Sequence, residues 1–461
     1  MSSHDDENLL LLGSIDEVDS LNARFYDRFP FPWRPMKFDV LDDPDFERVQ
    51  LNQDLGDWHH RTVPPRPEIW VAGCGTNQAA ITALRFPRAR VLGSDVSEKA
   101  LELCSKTVDD LGLENLELVR ESINTVDYHE RFDVVICTGV IHHNARPELT
   151  LERLAAALKP GGVLELMVSN RYARAPHSAL QKVIRGLAGT RGEPDFEREL
   201  EIARGLRDHL PAQNSLAELL ERSRDWSEEL FADTVLQPID RSYSVESLSE
   251  LAASCGLELL TPCINQYDRT AGGIVWNLDF SDAELQRRYD ALDDLERWQL
   301  SELLLFESGP VLLWFYLGKK DPERPRRGEK EICETFLDTV FERAETEQRS
   351  FVRTDDGGYR RTPPEAAIAH PPKHHDDRAR RVLESVDGRT PMRRLVEKLG
   401  IELDFHTAND LRIHLASSAY PYLRSVVESR SRKPGQKPAK AARDFKKRRR
   451  KMLEKMKSRG D

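Results

Sequence analysis

The chain has 461 residues, a net charge of −11, 39% apolar residues and 32% charged ones, which fits two or three globular domains with a polar surface. No apolar run approaches the roughly 18 residues of a membrane span, and the acidic opening from Met1 to Asn8 fits neither a secretory signal nor an Arg-rich transit peptide. Cys74, Cys104, Cys137, Cys255, Cys263 and Cys333 show no CxxC spacing, so reduced thiols and a cytoplasmic location are expected.

The first informative stretch runs from Asn22 to Trp33. It is rich in aromatic residues (Phe25, Tyr26, Phe29, Phe31 and Trp33), and Pro30 and Pro32 force an extended path. Next, Glu68–Gln78 is an apolar run that feeds the glycine turn Gly73-Cys74-Gly75 and then a helical pattern. Such a strand, turn and helix bring backbone N–H groups up to a nucleoside cofactor. A second apolar run, Ala89 to Ser94, ends on Asp95, twenty residues past Gly75, where a carboxylate can accept from both hydroxyls of a ribose. Ser97 caps a helix that runs to about Leu111 and stops at Gly112. Leu116 to Arg120 reads as a strand followed by Glu121-Ser122-Ile123. Phe132 to Thr138 reads as another, followed by Gly139-Val140-Ile141-His142-His143, and Lys159-Pro160-Gly161-Gly162 turns into a buried strand through Val168.

In these motifs and their order the chain resembles the class I S-adenosylmethionine-dependent methyltransferases. The resemblance is specific over roughly residues 65–170 and looser over 20–320, and Val140-Ile141-His142-His143 is similar to the small-molecule and quinone-type branch. It implies an α/β fold: a Rossmann-like, seven-stranded, mostly parallel sheet with helices on both faces. It implies S-adenosyl-L-methionine as cofactor, with Gly73, Gly75, Asn77 and Gln78 beside the methionine and ribose, and Asp95 on the ribose. Val96 then packs on the adenine, Ser122 and Ile123 meet its edge, and Thr138 and Gly139 face the transfer site. His142 is the candidate general base, since a neutral imidazole can take an acceptor's proton near pH 7. Tyr26, Phe29 and Phe31 either roof the pocket or form a strap on the sheet edge. Two departures stand out: Val71 occupies the place of an acid common in relatives, and Asn77, a residue tolerant of positive φ, replaces a third glycine. A nicotinamide dehydrogenase would need a small residue where Gln78 stands.

Residues 171–240 interrupt the alternation with helical stretches at Phe196–His209 and Ser215–Leu230, as an acceptor-side lid would. Arg241 and Tyr243 follow as candidate substrate-side residues. A helix over Val245–Ser254, a strand over Leu257–Pro262, a helix opened by a Ser281 capping box and a last strand over Gly309–Leu317 complete seven strands. A charged, proline-bearing linker at 319–329 precedes a smaller, mainly helical unit. Helices are expected there over Lys330–Gln348, after Thr390 (with Thr390 as cap and Pro391 first) and over Asn409–Val427, in a pattern similar to a winged helix. The expected organisation is therefore a cap segment (1–65), a methyltransferase domain (66–320), an accessory domain (330–429) and a tail (430–461). That tail holds fifteen Lys/Arg against three acidic residues, +12, which leaves −23 on the preceding 429 residues. It fits an RNA- or ribosome-contacting arm. The stretch His370 to Asp377 lacks ligand spacing, and no metal is expected. The reading is methyl transfer to a small molecule or protein side chain, with an RNA acceptor or a non-catalytic cofactor-binding protein as alternatives.

Overall fold

The structure is a computed structural model. It describes residues 13–32, 34–190, 193–211, 213–264, 276–304, 312–363, 365–368 and 377–427. Helix α1 (Ile15–Arg28) opens it, fixed by a reciprocal cap in which Glu17 N donates to Ser14 Oγ and Ser14 N to the Glu17 carboxylate. After an extended strap come β1 (Lys37–Leu41) and α2 (Phe46–Asp54).

The main sheet is built from β2 (Glu68–Ala72), β3 (Arg90–Asp95), β4 (Leu116–Arg120), β5 (Phe132–Thr138), β6 (Leu158–Ser169), β7 (Leu257–Pro262) and β8 (Leu312–Lys319). Their order is β4-β3-β2-β5-β6-β8-β7, and only β8 runs antiparallel to its neighbours. Alternate residues fill the two faces. Trp70, Leu92, Val135 and Leu164 join one buried cluster, while Ile69, Val71, Val91, Val134 and Val163 join the other. A parallel sheet buried on both faces needs such continuous apolar runs, and these sequences supply them. Trp70 also satisfies its indole N–H on Ser94 Oγ at 2.9 Å.

Helices α3 (Gln78–Arg85), α4 (Glu98–Leu111) and α5 (Pro147–Ala157) connect the strands. α4 has the bounds its sequence signals imply: Ser97 Oγ accepts from Ala100 N at 3.0 Å, and Gly112 takes φ 61°. The insertion holds α6 (Arg171–Ala188), α7 (Phe196–His209), α8 (Ser215–Arg222) and α9 (Glu228–Val235). The single helix expected over Ser215–Leu230 is therefore two, because Ser227 caps a new one by accepting from Leu230 N. α10 (Val245–Ser254), α11 (Ala283–Ala291) and α12 (Asp294–Leu304) follow. Asp282 rather than Ser281 caps α11, since its carboxylate reaches Glu284 N and Leu285 N.

The smaller unit contains α13 (Glu329–Asp338), β9 (Phe341–Arg343), β10 (Glu345–Arg353), β11 (Tyr359–Arg361), β12 (Glu365–Ile368), α14 (Asp377–Ser385), α15 (Met392–Lys398), α16 (Phe405–Ala416) and β13 (Leu423–Ser425). The helix expected to reach Gln348 stops at Asp338 and strand follows, because β9 pairs antiparallel with β13 and β10 with β12 over Glu345–Gln348 and with β1 from Gln348↔Leu41 to Val352↔Lys37. Thr390 does not cap α15; its N–H and hydroxyl both donate to Asp387. The run from Asn409 to Val427 is split between α16 and β13. Trp33, residues 309–311, the histidine-rich stretch from 370 to 376 and the basic tail lie outside the described residues.

The two units share a polar joint. Gln53 Nε2 donates to Leu423 O at 3.0 Å, and its Oε1 accepts from Ser425 N at 2.8 Å. Asp54 accepts from Ser418 N and from Tyr316 OH. Arg297, 1% exposed, pairs with Asp294 and Glu329 at 2.6 Å each, and Glu329 also meets Arg412.

Candidate cofactor and acceptor site

The carboxyl ends of β2, β3, β4 and β5 converge on one edge, and the expected cofactor residues lie along it. After β2 the chain turns through Gly73 (φ 71°) and Gly75 (φ 54°). A Cβ on Gly73 would come within 2.5 Å of Val140, and one on Gly75 within 2.6 Å of Phe31 O, so both positions need glycine for conformation and for space. Asn77 takes φ −155°, so its tolerance of positive φ is not what lets it replace a glycine. Val71 is fully buried in the apolar cluster on one face of the sheet.

Asp95 closes β3 beside the turn. Its Oδ2 accepts from Gly75 N at 2.8 Å and its Oδ1 from Ser97 N at 2.9 Å. Burial pushes its carboxyl up, while the backbone donors pull it back. Val96, next along, is partly exposed. Ser122 and the buried Ile123 follow β4, and Gln78 Nε2 donates to Thr138 Oγ1 at 2.6 Å, tying α3 to the end of β5. Gly139 (φ 77°) turns the chain towards the two histidines.

Helix α1 lies across this edge, a feature without local signature in the sequence. Asp19 accepts from Ser122 Oγ and from Asn124 Nδ2. Asp27 accepts from Ser97 Oγ at 2.7 Å and Lys99 N at 3.2 Å. Asn22 Nδ2 donates to His143 O at 2.7 Å. Beyond α1 the strap rests on the turn, with the Thr76 hydroxyl bonded to Pro32 O. Backbone donors, a strand-terminal carboxylate and a glycine turn fit the adenosyl and amino-acid parts of a nucleoside sulfonium.

Deeper in, the insertion meets the end of β5. His142 and His143 are buried, in a short 3-10 turn over Ile141–His143. Burial holds both imidazoles below their usual range; His143 and then Arg174 push His142 further down, whereas Asp240 and the Ile239 carbonyl partly offset the shift of His143. Segment 239–241 is stapled to them: Arg241 N donates to His142 O at 2.9 Å, and His143 Nδ1 meets Ile239 O at 2.6 Å. Tyr26 OH donates to Asp233, whose carboxyl burial raises to about 7, and accepts from Gln237. Tyr243 is buried at the end of β6, its N–H bonded to Ser169 O, and its hydroxyl has no hydrogen-bond partner among the described residues. Arg241 donates to Ala145 O. Phe29, by contrast, is fully buried with Phe25 in the apolar cluster of the insertion, and Arg28 stacks over its ring; it supports α1 from behind. Asp19, Asp27, Asn22, Arg174, Asp233 and Asp240 escaped the sequence reading, having no periodicity or motif to mark them.

A cleft of about 640 Å³ lined by Arg66, Glu68, Arg88, Arg90 and Lys159 opens at the opposite, amino ends of the strands. Its residues start the strands whose far ends carry the glycine turn and Asp95, so the cleft is separate from the transfer edge.

Comparison with known proteins agrees with this geometry. A family model described as a methyltransferase domain matches residues 70–164, the span from β2 into β6. In structure the chain is similar to PKMT2 from Rickettsia typhi, with a TM-score of 0.53 at 15% identity over 85% of this chain and 76% of that one. In sequence it is 29% identical over 315 residues to an uncharacterised Synechococcus protein, covering 63% of this chain and 69% of that protein. A ubiquinone biosynthesis O-methyltransferase of Azoarcus is 33% identical over 88 residues, of which the match spans 38% of that enzyme. Residues 70–164 are a methyltransferase domain, and the chain has the Rossmann-like fold of class I S-adenosylmethionine-dependent methyltransferases. Its donor is S-adenosylmethionine, its reaction is methyl transfer to an acceptor, and no described helix is long and apolar enough to cross a membrane.

Proposed function

We propose that this enzyme methylates a small molecule or a single protein side chain admitted to the enclosed pocket between α1, the insertion and the end of β5. What supports the reading is that His142, His143 and Tyr243 are buried and Tyr26, Asp233 and Arg241 only partly exposed, an arrangement suited to a narrow group and not to a broad surface. Gly73, Gly75, Asn77 and Gln78 hold the amino-acid portion of the donor, and Asp95 its ribose. Val96, Ser122 and Ile123 border the adenine, and Thr138 and Gly139 face the methyl. The donor supplies an electrophilic methyl on a sulfonium. The protein's task is alignment of that methyl with the acceptor, an effect worth up to roughly 7–11 kcal/mol. His142, neutral because it is buried, takes the acceptor's proton, with Tyr26, Arg241 and Tyr243 on the substrate side and Phe29 behind them. Substrate entry through a pocket rather than a lipid face, and six free thiols, fit a cytoplasmic enzyme whose smaller unit is an accessory domain.

A second reading is an RNA or ribosomal acceptor. It is favoured by the basic tail, by the cationic cleft, and by similarity to a tRNA U34 carboxymethyltransferase of Campylobacter jejuni, 25% identical over 196 residues and 61% of that protein. Cell extract incubated with purified enzyme and methyl-labelled donor separates the two. Label in a small or protease-sensitive fraction supports the first reading, and label lost to nuclease overturns it. Calorimetry tests the donor site: Asp95→Ala is expected to weaken donor binding at least about tenfold, since charge-assisted hydrogen bonds are worth roughly 1.5–3 kcal/mol. An unchanged dissociation constant contradicts the ribose assignment.

A further inference from the structure

His142, His143 and Asp240 each offer one ligand atom, and the three atoms lie within 4.8 Å of one another. None of the three is held by accident. Backbone bonds from segment 239–241 to residues 142 and 143 fix the histidine pair against the aspartate. His143 Nδ1 faces the Ile239 carbonyl at 2.6 Å, so it carries the proton and leaves Nε2 with a free lone pair. Arg174 Nε takes Oδ2 of Asp240 and orients the carboxylate. Two electron-pair donors then remain: His142 Nδ1 and Asp240 Oδ1 are buried and have no hydrogen-bond partner among the described residues. Residue His142 is 3% exposed and the Asp240 side chain 3% exposed. Buried polar atoms are almost always paired, so an unpaired atom on two of the three converging residues points to an occupant.

We propose that His142, His143 and Asp240 bind a divalent transition-metal ion on the acceptor side of the pocket. Arg174 already balances the charge of Asp240, so affinity comes from the imidazole nitrogens. That selects a borderline ion such as zinc, cobalt or nickel over magnesium or calcium, which need mostly oxygen ligands. Three protein ligands leave a further position open, as catalytic rather than structural sites do. Resting on the methyl-transfer reading, the open position would take the acceptor's hydroxyl or amine and lower its pKa, and His142 would then serve as ligand instead of base. This goes beyond the sequence reading, which weighed a metal only at His370 to Asp377.

The full chain, stripped with a chelator and titrated with cobalt(II), is expected to bind one equivalent and to develop visible d–d absorption that zinc abolishes. Asp240→Asn and His143→Gln, which keep the volume and the hydrogen-bonding capacity of the site, are expected to weaken cobalt binding by about tenfold or more while keeping the far-ultraviolet dichroism of the parent. Absence of the bands, or equal affinity in Asp240→Asn, overturns the site. If a variant loses its dichroism, the parent's titration alone decides. Calorimetry of the same stripped protein with S-adenosylmethionine reports separately on the methyl-transfer reading: cobalt bands without donor binding retain the metal site and reject that reading, and donor binding without bands does the reverse.

Discussion

At the scale of single residues, the site's tolerances follow from geometry around the glycine turn. Gly75 combines φ 54° with a strap carbonyl 2.6 Å from where a Cβ would stand. Gly75→Ala therefore meets a left-handed penalty of about 1–2 kcal/mol as well as a clash with Phe31 O. It is expected to lower the melting temperature by several degrees and to weaken donor binding, both checked by thermal shift with and without donor. These glycines, Asp95 and the Ser97 cap were legible in the sequence because each is demanded by its own few residues of backbone. Asp19, Asp27 and Asp240 were not, since their partners Ser122, Ser97 and the histidine pair lie on distant elements. A carboxylate bonded across the fold leaves no local trace.

At the scale of elements, α1 is a roof pinned by side chains at three points, Asp19, Asn22 and Asp27. Asp27→Ala removes the bonds to Ser97 Oγ and Lys99 N, and also one acceptor near the α4 N-terminus, where an acid is favourable by about 0.3–1 kcal/mol. Faster donor dissociation is expected with little change in association, and stopped-flow displacement of bound donor checks it. Helix and strand spans of the Rossmann core were legible because their apolar periodicities are strong and their caps explicit. β10 was misread as helix for a physical reason: Glu345-Thr346-Glu347-Gln348 has helix-forming, polar composition. Pairing with β12 over these four residues, and with β1 from Gln348 onward, decides its conformation instead.

At the scale of the whole molecule, buried charge ties the smaller unit to the larger. Glu329 is 1% exposed and serves both Arg297 and Arg412, so Glu329→Gln leaves a buried guanidinium short of its counter-ion. A loss of roughly 3–5 kcal/mol is expected in denaturant unfolding. Asp54 gives the joint a pH dependence. Burial raises its carboxyl from 3.8 to about 7, against the pull of Ser418 and Tyr316. The folded protein therefore holds a proton that the unfolded chain has released. Its contribution is fully present below pH about 4, fades as pH rises to about 7, and changes no further above that. Relative to the parent, Asp54→Asn should gain stability on the order of 2–4 kcal/mol across that interval, measured as the difference between two unfolding titrations. Parallel titrations with no difference in slope would count against a protonated Asp54.

The strand β1 joins the sheet of the smaller unit, yet the strap just before it presses on the glycine turn of the larger one. The covering over the donor is thus strung like a tent line between two pegs, one of them planted in the far unit. A chain ended at residue 328 would keep every atom of the Rossmann core but lose the second peg. Such a shortened enzyme should still recognise its donor while failing to retain it, so that the distal unit governs residence time without touching the ligand.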